Sequence, residues 1–199
     1  MQMNLRKKLL IEDISQFGKI LSGREKAEEV VRHIKSRLPL LTEDGFLALN
    51  MDRVETIDYP AADEMVKGGF ALTWGGEVKK GQHLIWLGGR ENVLETIAAA
   101  HRNRSVVGFH FKDVEGLRKD QWHLLGELPG HLEYTLRELF RAGAANAQEL
   151  ADQMGITLGA CQNRLINLMR QGVVVREITN SRGKYIYRFS CRQEKPHPK

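Results

Sequence analysis

Gln162, Asn163 and Asn167 carry carboxamides, each holding a hydrogen-bond donor beside an acceptor. That pair matches the N6 and N7 edge of adenine, so these residues could read bases in a DNA groove. A helix running from Thr157 to Arg170 would space them for it. If Cys161, Leu165 and Leu168 face a core, helical periodicity sends Gly159, Gln162, Asn163 and Asn167 outward together. Gly159 and Ala160 keep the start of that helix small enough for close approach. Arg164, Arg170 and Arg176 are candidates for phosphate contacts, as are Arg182 and Lys184 around Gly183. Exposed amides alone are ordinary solvated positions, so the surrounding charge has to decide.

The chain has 199 residues and a net charge of +5. From Gly130 to Lys199 there are 11 Lys and Arg against 6 Asp and Glu, and the preceding residues balance at 19 of each. All the positive excess therefore lies in the last third. Such asymmetry points to two modules and to a polyanionic partner for the second. The hydrophobic share of 42% is enough for real cores. Pro129-Gly130 favours a turn over continued helix and marks the boundary. The expected division is a first domain over 1–125 and a second over 131–192. Residues 193–199 form a frayed tail, with two prolines and no apolar anchor.

The second module reads as helices followed by a hairpin. Leu132, Leu136, Leu139 and Phe140 make the apolar stripe of a first helix. Ala147–Met154 gives a second, with Leu150 and Met154 inward. Gly155-Ile156-Thr157 is a tight turn, and Thr157 can cap the third helix. Gly172 stops that helix and Val173-Val174-Val175 starts a strand. A second strand alternates, with Tyr185, Tyr187 and Phe189 on one face and Ile186 and Arg188 on the other. Asn180–Lys184 turns between them. Helix, helix–turn–helix, two-stranded hairpin is the order of a winged helix.

The segment AQELADQMGITLGACQNRLINLMRQGVVVRE resembles the winged-helix regulators of the MarR and ArsR type found in bacteria. Glu149-Leu150-Ala151 precedes the turn, and Leu165 and Leu168 stand ahead of Gly172-Val173-Val174. The resemblance covers about 131–190. It implies binding to double-stranded DNA as a homodimer, because one recognition helix reads few base pairs.

The first module alternates strand and helix signals. Lys8–Ile14 reads as an opening strand, and Ser22-Gly23-Arg24-Glu25 has capping-box form. A helix follows with the stripe Ala27, Val30, Val31, Ile34 and Leu38. Phe46–Leu49 is a buried-strand run, and Asp58-Tyr59-Pro60 opens another helix, since proline suits a first turn. His83–Leu87, Glu91–His101 and Val106–Phe111 read as strand, helix and strand. Helices of this length between strands give an α/β sheet-and-helix domain. The expected fold class is thus α+β in two domains, with a winged helix-turn-helix second.

Phe17-Gly18, Ser22-Gly23-Arg24-Glu25 and the run NMDRVETIDYPAADEM resemble the STAS-like domain, a relative of anti-sigma-factor antagonists, over about 14–115. The resemblance implies partner switching with a kinase-like ATPase, and Asp58, Tyr59, Asp63 and Glu64 would form the partner contact. Antagonists carry a phosphorylatable Ser or Thr in an Asp-Ser-Ser/Thr-Gly loop. Here the loop is Asp58-Tyr59-Pro60-Ala61, and Pro60 has no hydroxyl to modify.

Several classes drop out. No histidine has His-x-x-x-His spacing, and Cys161 and Cys191 cannot complete a four-ligand site, so no metal and no other cofactor is expected. Gly88-Gly89-Arg90 could hold an anion on backbone amides but lacks a dinucleotide or P-loop pattern. Trp74, Trp86 and Trp122 are too scattered to form a stacking platform. No nucleophile–base–orienter set is visible, which argues against an enzyme. Neither a membrane span nor a cleavable signal is apparent, so a cytoplasmic protein is expected. The expected function is a DNA-binding transcriptional regulator whose STAS-like domain senses a partner or signal. The alternative is a signalling adaptor whose winged helix docks proteins.

Overall fold

Runs of apolar residues too short for helices become the strands of a parallel sheet. In chain order the first part contains β1 (Leu9–Asp13), β2 (Ile20–Leu21), α1 (Arg24–Arg37), β3 (Phe46–Asn50), β4 (Thr56–Ile57) and α2 (Tyr59–Met65). These are followed by β5 (His83–Leu87), α3 (Glu91–Asn103), β6 (Gly108–Phe111), α4 (Val114–Arg118) and β7 (Trp122–Leu125). The computed structural model describes residues 9–41, 45–70, 83–119, 121–178 and 185–189. It divides into two compact units, Met1–Glu127 and Leu128–Lys199. Among the described residues no helix is long and apolar enough to cross a membrane.

The main sheet has the order β1-β3-β5-β6-β7, parallel throughout except for β7 against β6. Each parallel step needs a crossover, and sequential order steps the sheet one way, so same-handed crossovers put their helices on one face. One pleat face presents Leu47, Leu49, Leu84 and Trp86, and Val30, Ile34, Ala61, Met65, Val93 and Ile97 from α1, α2 and α3 join them in a single core cluster. The opposite pleat, with Phe46, Ala48, Ile85 and Leu87, is buried as well. Burial on both faces explains why these strands read as continuous apolar runs rather than alternating ones.

Two local expectations change. Ser22 does not close a capping box. Gly23 is the N-cap of α1 at φ 80°, and the Ser22 hydroxyl instead donates to Asp58 at 2.6 Å. The strand expected from Val106 begins at Gly108. At that position a Cβ would lie 2.7 Å from Cε1 of His101, so only glycine lets the strand pass.

His101 and Trp86 are fully buried, and Trp86 Nε1 donates to His101 Nε2 at 3.0 Å. Nε2 is therefore the acceptor and the imidazole is neutral. Burial outweighs a backbone hydrogen bond with Val106 and drives its pKa from 6.5 to about 3.

The second unit contains α5 (Gly130–Ala142), β8 (Ala144–Ala145), α6 (Ala147–Met154), α7 (Leu158–Arg170), β9 (Val174–Ile178) and β10 (Tyr185–Phe189). β8, β10 and β9 form an antiparallel sheet in that order, in which Tyr187 lies opposite both Ala145 and Arg176. Leu132, Leu136, Leu139, Leu150, Cys161, Leu165 and Leu168 are buried, while Phe140 and Met154 are half-buried. β8 is too short to show any alternation in sequence. The chain as a whole is a mixed α+β protein with a largely parallel sheet.

The buried histidine makes stability depend on pH. Above about pH 6.5 both folded and unfolded chains hold His101 neutral; below it, down to about pH 3, only the unfolded chain takes up a proton. Folding of the first unit should weaken as pH falls through that window. Urea melts should show a falling midpoint, and His101→Gln, which keeps an acceptor for Trp86, should flatten the slope. A midpoint indifferent to pH would speak against a buried neutral imidazole.

Candidate nucleic-acid interface

The angle between α6 and α7 is set by three residues. Gly155 ends α6 in the left-handed conformation at φ 66°, open to glycine without strain, and the Ile156 amide donates back to the Ala151 carbonyl. The Thr157 hydroxyl oxygen then accepts from the Ala160 amide at 3.3 Å and starts α7. At the other end of α6 Asn146 and Glu149 form a complete capping box: Asn146 accepts from the amides of Gln148 and Glu149, and Glu149 accepts from the Asn146 amide.

The rotation of α7 is set by its buried face. Cys161, Leu165 and Leu168 are 0% exposed, and burial pushes the Cys161 thiol above its ordinary range, as suits a packing group. Gly159, Gln162, Asn163 and Asn167 are consequently exposed, as expected, and Arg170 is exposed as well. A Cβ at Gly159 would meet no atom within 4 Å. No acidic residue occurs on α7.

Leu158 and Ile166 share this outward face, at 39% and 40% exposure. The period that sends Gln162 outward also sends positions four residues to either side, so the signal was present. Their apolar character hid them.

Arg164 is set differently from these. It is half-buried on the flank of α7, with Nη1 3.5 Å from Thr135 Oγ1 on α5, because its position adjoins Leu165 on the packed side. Arg170 stays exposed, 3.5 Å from Asn167 Oδ1, and the Arg176 guanidinium lies 4.3 Å above the Tyr185 ring. Arg182 and Lys184 fall outside the described residues. A concavity of about 370 Å³ joins Asn146 and Gln148 at the start of α6 with Leu158, Gln162 and Tyr185.

Charge within the unit is sorted. Glu133 pairs with Arg137, Glu138 with Arg141, and Glu177 with Arg188, while Asp152 accepts from Gln148. Among the described residues no carboxylate lies within ion-pair distance of Arg164, Arg170 or Arg176.

In the first unit the expected partner contact is mostly spent on its own fold. Asp58 accepts from the Ser22 hydroxyl, the Gly23 amide and the Ala61 amide, at 2.6, 2.9 and 2.9 Å, and so clasps the starts of α1 and α2. Burial alone would raise its pKa, but the three hydrogen bonds outweigh it and hold the carboxyl below the usual range. Asp63 is buried and bound at both oxygens by Arg104, each at 2.6 Å. Glu64 is half-buried against Lys67, which leaves Tyr59, 40% exposed, as the open side chain of the four. At Gly88-Gly89-Arg90 the Gly89 amide already donates to Asp52 at 3.0 Å, which an anion would have to displace. No group of three or more potential metal-ligating side chains occurs among the described residues.

No family model, no curated protein and no solved structure matches the chain.

Asp58→Ala removes the side-chain cap of α2 together with the hydrogen bonds to Ser22 and Gly23 ahead of α1, and should cost about 1–2 kcal/mol of stability in urea unfolding. Tyr59→Ala, which removes an exposed ring, should change it little. Equal effects of the two would contradict the clasp.

Proposed function

We propose that the chain is a DNA-binding regulator, in which residues Leu128–Lys199 form a winged helix and α7 enters the major groove of duplex DNA. One observation carries this reading: the outward face of α7 bears carboxamides and no acid, while among the described residues no carboxylate pairs with the cations Arg170 and Arg176. The confinement of the +5 charge to this unit supports it. So do a third helix following a tight turn and an antiparallel hairpin following that helix. The first unit, STAS-like by resemblance, is the module that takes a protein partner or signal. Pro60 keeps it from using the antagonists' phosphorylated hydroxyl, and Tyr59 is its exposed contact. The regulator acts as a homodimer on two half-sites.

Fluorescence anisotropy of the full chain on a labelled random-sequence duplex tests the reading. If about five cations neutralise phosphates, log affinity should fall with log salt at a slope of about −4 to −5 per protomer. Arg170→Ala and Arg176→Ala should each weaken binding on every duplex and lower that slope by about 1. Salt-independent binding, or none, together with co-purification of a kinase-like ATPase, would favour the adaptor instead.

A further inference from the structure

The exposed face of α7 combines amides with apolar groups and carries one cation, Arg170, at its end. Two rows of side chains run along its exposed face. Leu158, Gln162, Ile166 and Arg170 follow one another at four-residue intervals, and Gly159, Asn163 and Asn167 form the adjacent row. Isoleucine at 40% exposure between a glutamine and an arginine gains nothing from water.

In the major groove one base-edge feature rewards an apolar side chain, the C5 methyl of thymine. Carboxamides suit adenine, the partner of thymine, through N6 and N7. Guanine is read most often by arginine or lysine at O6 and N7. The α7 cations are poorly placed for that, since Arg164 turns to Thr135 and Arg170 is the last residue of the helix, beyond the N-terminal turns that approach base edges.

We propose that α7 selects A·T base pairs, with Gln162 and Asn163 on adenine edges and Ile166 against thymine methyls. This rests on the duplex-binding reading above and adds to it the class of sequence bound and a specificity residue, Ile166.

The test uses the full chain and three labelled duplexes of equal length: one A·T-rich, the same sequence with 2′-deoxyuridine for every thymidine, and one G·C-rich. Uridine removes the methyl and keeps every hydrogen-bonding group. The wild-type chain should bind the A·T-rich duplex best and lose about fourfold in affinity for each contacted methyl removed. Ile166→Ala, a change at an exposed position, should bind the thymidine and uridine duplexes alike. Asn163→Ala should lose preference for A·T over G·C with its salt slope unchanged. Salt-sensitive binding of all three duplexes with equal affinity would overturn A·T selection while leaving duplex binding intact. A thymidine preference surviving in Ile166→Ala would overturn the role of that side chain. Absence of salt-sensitive binding to any duplex would overturn both the inference and the reading beneath it.

Discussion

The rotation of α7 about its own axis is the constraint on which the candidate interface depends. A helix has one rotational degree of freedom once its axis is placed, and burying one face fixes what the opposite face presents. Cys161, Leu165 and Leu168 take up that freedom, each without measurable exposure. Their packing against the unit's core makes the carboxamides, Leu158 and Ile166 a single surface rather than scattered polar and apolar positions. The Gly155–Thr157 turn supplies the remaining constraint, the angle at which α7 leaves α6. Neither device involves the amides themselves, so the surface can vary without disturbing the scaffold.

Electrostatics follow from the same arrangement. Exposed ion pairs add little to stability. The pairs of Glu133 and Glu177, and that of the buried Glu138, keep carboxylates occupied by arginines, and Asp152 accepts from an amide. Among the described residues, Arg170 has a polar side chain beside it and Arg176 an aromatic ring, and no carboxylate pairs with either. A surface with cations and no neighbouring carboxylates attracts polyanions from a distance, whereas amides and methyl groups act only at contact. Under the proposed duplex binding, attraction and discrimination would fall to different residues.

The first unit uses its charges inwardly. Asp58 satisfies donors at the starts of two helices and Asp63 holds a bidentate arginine, so both carboxylates tie together elements remote in sequence. The Trp86–His101 hydrogen bond does the same for β5 and α3. A buried imidazole used in this way must be neutral, which couples the fold of this unit to proton concentration.

Much of the architecture was legible in the residues. The apolar stripes of α1, α5 and α7, the proline at the start of α2 and the Thr157 cap are local patterns, and a local pattern carries its own physical cause. The exposed carboxamides were legible for the same reason. What the sequence could not specify is how remote groups meet. Ser22 has the spacing of a capping box, yet its hydroxyl serves Asp58, 36 residues away. Arg164 has the composition of a phosphate contact, yet it leans on Thr135. Ala144–Ala145 becomes a strand only because β10 lies beside it. Sequence by itself determined which faces are apolar, because periodicity is written residue by residue. Tertiary structure alone decided which polar groups are consumed and which stay open, because a hydrogen bond across dozens of residues exists only after the chain has folded.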